Sequence, residues 1–269
     1  VREAPIANPD LIKACGIDIL VVLDESGSVK NYKSDVQTAF RSFTGALKNT
    51  GSKLAVAEFS TVARLPLTGP AQTSYTDVTD ATIASTFEPY IAHQYNPDGS
   101  TNWEDGFRMA RANFLPRPST QPHLVVFITD GNPNKIIRDD RVTPDEYLNK
   151  VPLADSEVAS ASEDPAADRA VPNANDAKRQ GSHVLAIAVG DGLSGSSTLD
   201  RLIKISGPDV FDGTGTFDIS TTDIYKEQDF SKLELALREA AFQLCSPSIT
   251  VRKQVDLTPD PGTDDLVDG

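Results

Sequence analysis

The chain has 269 residues, of which 39% are hydrophobic and 24% charged. That suits one large α/β domain able to bury a substantial core, and it excludes global disorder. The net charge of −14 argues against nucleic acid as a partner, because phosphate neutralisation needs clustered Lys and Arg. No apolar run approaches the roughly 18 residues of a membrane span, the best being Ile19 to Leu23. The chain starts at Val1 without a signal-peptide pattern, so a trimmed amino terminus is expected.

In chain order, Ile17 to Leu23 is an apolar, β-branched run of the kind buried on both faces of a sheet, ending in Asp24-Glu25-Ser26-Gly27-Ser28. Val36, Phe40, Phe43 and Leu47 then recur at helical spacing, and Gly51 stops the helix. Leu54 to Phe59 reads as a second strand, with Ala63 to Leu67 as a short edge hairpin beside it. Thr79 to Phe87 reads as a short helix and Asn102 to Leu115 as a longer one. His123 to Thr129 is the third buried strand, with Asp130-Gly131 at its end. The proline-rich stretch from Asn132 to Asn173 is too long for an ordinary connection and is expected to be an insertion, with some helix from Pro144 to Lys150. A helix from Ala174 to Gln180, a strand from His183 to Val189, a helix from Thr198 to Ile205, a strand from Phe217 to Ile219 and a helix from Phe230 to Leu244 follow. The alternation predicts an α/β fold, doubly wound, with a mainly parallel sheet and helices on both faces. Residues 1–246 would form this domain. Ser248 to Val255 alternates like a strand before an acidic tail, so 247–269 reads as a linker or the first strand of a further domain.

The chemistry gathers at the carboxyl ends of the strands, where open α/β sheets bind their ligands. Asp24, Ser26 and Ser28 supply hard oxygens directly after the first strand. Thr101, in Gly99-Ser100-Thr101-Asn102, opens the Asn102 helix, and Asp130 ends the His123 strand. Each taken alone has a plain alternative: Asp24 to Ser28 and Thr101 as helix caps, Asp130-Gly131 as a turn. Their order along one alternating chain favours a site for Mg²⁺ or Mn²⁺, which prefer such oxygen donors.

Rival motifs are weaker. Gly190-x-Gly192-x-x-Gly195 matches a dinucleotide fingerprint but follows the fourth strand, and Asp191 would repel pyrophosphate. Asp130-x-Asn132-x-Asn134 imitates the start of a calcium loop, but Lys135 stands where the tight turn needs Gly. His93, His123 and His183 form no H-E-x-x-H pair, His123 and His183 open buried strands, and no G-x-S-x-G elbow occurs, so hydrolytic catalysis lacks its base. Glu25 reads as a solvated charge. Trp103, with Tyr95 and His93 in the preceding loop, either forms an aromatic rim that grips a ligand or, for Trp103, packs inward. Cys15 and Cys245 bracket the regular structure; they are either two separate buried thiols or a disulfide, and the disulfide would imply an oxidising compartment.

DESGS, GSTN and ITDG together resemble the metal-ion-dependent adhesion site of the von Willebrand factor A family, over about Cys15 to Cys245 apart from the insertion. The resemblance implies that Ser26, Ser28 and Thr101 bind the metal directly, and Asp24 and Asp130 directly or through water. It implies a secreted or surface-displayed adhesion module, not an enzyme, that takes an acidic side chain of a protein ligand; the Ser248 to Val255 strand, which resembles the opening of immunoglobulin-like stalk domains in bacterial surface proteins, favours a pilus-tip adhesin. An assembly module binding a neighbouring subunit and a metal-dependent hydrolase are the other readings. The insertion and the loop from Pro89 to Ser100 are expected to wall the ligand site.

Overall fold

Seven consecutive buried residues, Asp18–Asp24, form β1, and their alternating side chains feed two separate cores. Ile19, Val21 and Leu23 point to one, Leu20 and Val22 to the other, as a strand covered on both faces requires. The computed structural model describes residues 3–114, 122–149, 152–190 and 195–244. After β1 come a 3₁₀ turn at Gly27–Tyr32 and α1 at Lys33–Leu47, then β2 (Lys53–Phe59), β3 (Ala63–Arg64) and β4 (Thr76–Asp77). A helical stretch opens with α2 (Asp80–Thr82) under a capping box between Thr79 and Thr82. It continues as wider turns at Ile83–Phe87 and Tyr90–Gln94. Next are α3 (Trp103–Phe114), β5 (His123–Thr129), β6 (Lys135–Ile137), α4 (Pro144–Asn149), β7 (Val158–Ser160) and α5 (Glu163–Arg179). The described unit closes with β8 (Ser182–Val189), α6 (Ser196–Ile205), β9 (Val210–Phe211), β10 (Ile224–Glu227) and α7 (Leu233–Leu244).

The main sheet runs β3-β2-β1-β5-β8-β10-β9, with β4 also on β2. Its central pairs are parallel, and only β3 and β4 lie antiparallel, at β2. Helices α1 and α7 cover one face through Phe40, Phe43, Leu233 and Leu237. Helices α3, α5 and α6 cover the other through Phe107, Ala170 and Leu202. This is the doubly wound α/β fold expected. Strand β1 pairs with β2 on one side and β5 on the other, so the loops leaving β1 and β5 diverge at a switch in strand order. The crevice for a ligand opens there.

Two expectations are overturned. The insertion is shorter than 132–173, because α5 begins at Glu163 rather than Ala174. Pro165 sits in the first turn, where a missing N–H costs nothing. Pro172 lies inside the helix, and Ala167, Ala170, Ala174 and Ala177 bury a narrow stripe in the core through which α5 packs on α3. The remainder, from Asn132 to Ser162, forms a β6–β7 hairpin and a small core of Ile137, Val142 and Leu153. Its hairpin and helix pack beside α3, while Asn132 and Asn134 at its start line the open depression at the crevice. Second, Phe217 to Ile219 is not a strand; the strands are β9 and β10. The Gln243 side chain donates to Phe217 O at 2.6 Å and accepts from Ile219 N at 2.9 Å. One amide thus takes the groups a neighbouring strand would have paired. Lys150, Gly192, Cys245 and 247–269 lie outside the described residues.

Helix α3 approaches β2 through Gly106. A β-carbon there would meet the Phe59 ring at 3.0–3.1 Å and its β-carbon at 3.2 Å, and Phe59 is held by stacking on Phe127 at 5.3 Å. Gly to Ala in a helix ordinarily gains up to about 1 kcal/mol. Here overpacking should win, and Gly106→Ala is expected to lose about 1–3 kcal/mol in urea unfolding. A variant as stable as wild type would show that the α3–β2 contact is loose.

Candidate metal site

Asp24 closes β1 and is 1% exposed. Its Oδ1 accepts from Ser26 N at 2.8 Å, and its Oδ2 accepts from the Thr129 hydroxyl at 2.6 Å. Ser26 stands at the N-cap of the 3₁₀ turn, yet its side chain makes no capping hydrogen bond. Its hydroxyl lies 3.0 Å from that of Ser28, which donates to Asp130 Oδ1 at 2.7 Å. Capping therefore does not account for these hydroxyls. Nor is Thr101 the cap of α3, since Asn102 Oδ1 accepts from Asp105 N at 3.2 Å in that role. Thr101 lines one open depression together with Ser28 and Asp130. Four of the five sequence-predicted residues are linked by direct hydrogen bonds, Asp24 to Ser26, Ser26 to Ser28 and Ser28 to Asp130, and the fifth, Thr101, lines the same depression as Ser28 and Asp130.

The loops are held from outside the motif. Glu25 N donates to Phe59 O at 2.7 Å, Asp98 N to Glu25 O at 2.9 Å, and Gly27 N to Gly99 O at 3.0 Å. Thr61, in the β2–β3 turn, accepts from Ser100 N at 3.0 Å through its hydroxyl and from Asn102 Nδ2 at 3.1 Å through its carbonyl. Gly99 has φ +84, and a β-carbon there would come within 2.7 Å of the Thr61 hydroxyl, so this approach requires glycine. On the side of β6, Asn134 Oδ1 accepts from Thr101 N at 3.1 Å.

Burial, first, and the Asp130 charge, second, push the Asp24 carboxyl up to about 7, against the hydrogen bonds from Ser26 and Thr129. Asp130 is also raised, chiefly by burial, with the Ser28 hydrogen bond opposing. Two carboxyls facing each other in a dry site favour a cation between them. The hydroxyl and carboxylate oxygens here are linked by hydrogen bonds of 2.7–3.0 Å, and hard oxygens of this kind are the donors that Mg²⁺, Mn²⁺ and Ca²⁺ prefer. Among the described residues no group of three or more His, Cys, Asp or Glu that could hold a metal ion occurs; a donor set here would have to combine hydroxyls with the carboxylates of Asp24 and Asp130.

The aromatic rim expected of Trp103 and Tyr95 is a correction, since both are fully buried. Trp103 meets Phe127 edge-on at 5.4 Å, and its spacing of four from Phe107 was the available signal for an inward phase. Tyr95 serves from beneath, its hydroxyl donating to Asp24 O at 2.9 Å. His93 is exposed and is not among the residues lining the depression. Instead Tyr32 and Phe230 stack at 4.1 Å beside the site. Gly190 lies against Phe230, where a β-carbon would come within 2.8 Å of its ring.

Glu25 is also a correction. It is buried, accepting from Asn96 N at 2.5 Å and Arg64 Nη2 at 2.6 Å. Arg64 reaches Glu58 as well, at 2.8 Å, and Tyr90 donates to Glu58 at 2.6 Å. No local pattern announces this, because the partners lie far along the chain. His123 contacts Ser182 and Tyr75, and His183 lies between Pro9 O and Thr222 O.

Residues 19–132 match the von Willebrand factor type A domain family. No curated protein matches the chain by sequence. Among solved structures, the PilB minor pilin from Streptococcus sanguinis aligns at 16% identity and TM-score 0.58, covering 89% of this chain and 63% of that one. The von Willebrand factor domain of the type V pili tip protein Mfa5 from Porphyromonas gingivalis aligns at 13% and TM-score 0.54, covering 91% and 99%. Proximal thread matrix protein 1 from the mussel byssus, with a zinc-occupied MIDAS motif, aligns at 19% and TM-score 0.52, covering 86% and 46%. At such identities the likeness shows the fold, and the chain spans about three fifths of the pilin's length.

Proposed function

We propose that this chain, a von Willebrand factor A-type domain by its fold and by its match over residues 19–132, is an adhesion module that binds a protein partner through a Mg²⁺ or Mn²⁺ ion. Asp24, Ser26, Ser28, Thr101 and Asp130 would hold the ion. The observation that carries the reading is the run of close oxygens from Ser26 through Ser28 to Asp130, with Asp24 buried behind it. Two carboxylates only balance a divalent cation, and hydroxyls add no charge, so the ion keeps affinity for an outside carboxylate. A Glu or Asp of the partner supplies it. A hydrolase would need a general base beside the ion. The one further carboxylate lining the depression among the described residues is Glu163, and it is tied to Arg201 at 2.6 Å.

The partner is expected among matrix, host-surface or pilus components, with the domain outside the cell. No helix among the described residues is long and apolar enough to cross a membrane. The neighbouring pilus structures support this placement, as does a Cys15–Cys245 disulfide, which we also propose. Leu11 N donates to Ser220 O at 2.9 Å and Ile219 N to Gln243 at 2.9 Å, so the segment before Cys15 and the end of α7 before Cys245 meet the same loop. Peptide mapping without reductant is expected to find the linked pair, and two free thiols would remove that support.

Adhesion itself is the test. Against purified matrix and pilus-shaft proteins, the immobilised chain should retain a partner in Mg²⁺, release it in EDTA, and retain none as Thr101→Ala. Retention unaffected by EDTA would sink the reading. Capture of pilus proteins alone would mark the module as one of assembly.

A further inference from the structure

The depression beside the proposed ion, about 420 Å³, is lined by Asp130 and Glu163 as its charged residues, and among the described residues no basic side chain faces it. Glu163 is the first residue of α5. Arg201 holds it at 2.6 Å and holds Asp164 at 2.7 Å, so two carboxylates share one guanidinium, itself 8% exposed. The same guanidinium donates to Asn132 Oδ1 at 2.8 Å, which anchors Glu163 to the loop just beyond Asp130. The charges can be counted. Asp24 and Asp130 cancel a divalent ion, while Glu163, Asp164 and Arg201 leave one negative charge at the lip. A partner carboxylate arriving at the ion adds a second. Tyr32, 40% exposed, presents a ring face beside the same depression, with Phe230 stacked behind it.

We infer that the partner segment carries a basic side chain, Arg or Lys, within a few residues of the acid that meets the ion, and that Glu163 is the residue that selects it. The cation offsets the surplus charge at Glu163 and can rest on the Tyr32 face, a cation–π contact. This deepens the metal-bridged reading and rests on it. It also gives the start of α5 a role that the order of the metal-site motifs does not supply.

Two bead-displayed heptapeptide libraries test it, one with a fixed central Asp and one with a fixed central Asn, sorted on the fluorescent chain in Mg²⁺. Wild type should prefer the Asp library, and Arg or Lys should be enriched about twofold to fivefold at flanking positions, the range expected of a partly screened ion pair. Glu163→Gln, which keeps size and a contact for Arg201, should keep the Asp preference and lose the basic enrichment. Asp preference without basic enrichment, or with enrichment unchanged in Glu163→Gln, overturns this inference and leaves the metal bridge standing. No preference for Asp over Asn overturns the metal bridge and this inference with it.

Discussion

In EDTA, Asp24→Asn is expected to melt higher than wild type, and in saturating Mg²⁺ it is expected to melt lower. The first half follows from burial and from Asp130, which raise the Asp24 carboxyl from 3.8 to about 7. A carboxyl raised in the folded state binds its proton more tightly there than in the unfolded chain. Its contribution to stability is therefore full below about pH 4 and is lost as pH rises through about 7. Asn lacks that loss and keeps both hydrogen bonds, accepting from Ser26 N and donating to the Thr129 hydroxyl. Its advantage in EDTA should be on the order of 1 kcal/mol at pH 8 and absent at pH 4. The second half follows from linkage. An ion at a hundred times its dissociation constant adds about 2.7 kcal/mol to wild type, and the variant, short of one carboxylate, should gain little. A merely structural Asp24 predicts the variant to be weaker in both conditions, so the crossing of the two melting curves is the diagnostic.

The largest loss of stability is expected at Arg108. Its guanidinium and the Asp105 carboxylate are both fully buried, with Nε at 2.5 Å from Oδ1. Asp105 also accepts from Ala63 N at 2.5 Å, and Arg108 Nη1 donates to Tyr147 O at 2.9 Å. The pair thus fastens α3 to β3 on one side and to α4 on the other, behind the loop that carries Thr101. Burial already raises the Asp105 carboxyl, with Arg108 the main opposing influence. Arg108→Met leaves that carboxyl without its cation and should cost about 3–5 kcal/mol in urea unfolding at pH 7. Adding Asp105→Asn, which still accepts from Ala63, should recover more than half of it. A single-variant cost below about 1 kcal/mol, or simple additivity in the double variant, would show that the pair is not a unit.

Which of these features the residues announce depends on how local their causes are. Strands β1 and β5 are continuous apolar runs ended by an acid, so the sheet's centre and the two carboxylates at its edge were legible. The hydroxyl positions were singled out by their order along the chain and by the family resemblance, and the fold brings Ser26 and Ser28 together. Helix α5 was not legible ahead of Ala174, because its first half carries Pro165 and Pro172 and its place in the fold rests on a stripe of alanines packed on α3, a tertiary fact. Strands β9 and β10 are two and four residues long, too short for a pattern, while the apolar Phe217 to Ile219 is served by a glutamine from α7. Glu25 looked solvated because its partners Arg64 and Asn96 arrive only through the fold. The Tyr32–Phe230 stack and the Arg201–Glu163 contact join segments far apart in the chain, and the further inference depends on both.

The central claim is that five oxygen-bearing side chains at the β1–β5 switch hold one divalent ion. Titration calorimetry of Mg²⁺ and Mn²⁺ into EDTA-stripped protein measures it directly. One ion per chain is expected for wild type, with binding abolished in Asp130→Ala and retained in Glu163→Gln, because Glu163 stands outside the proposed donor set. No saturable heat for wild type with either ion, or equal binding by Asp130→Ala, would contradict the account.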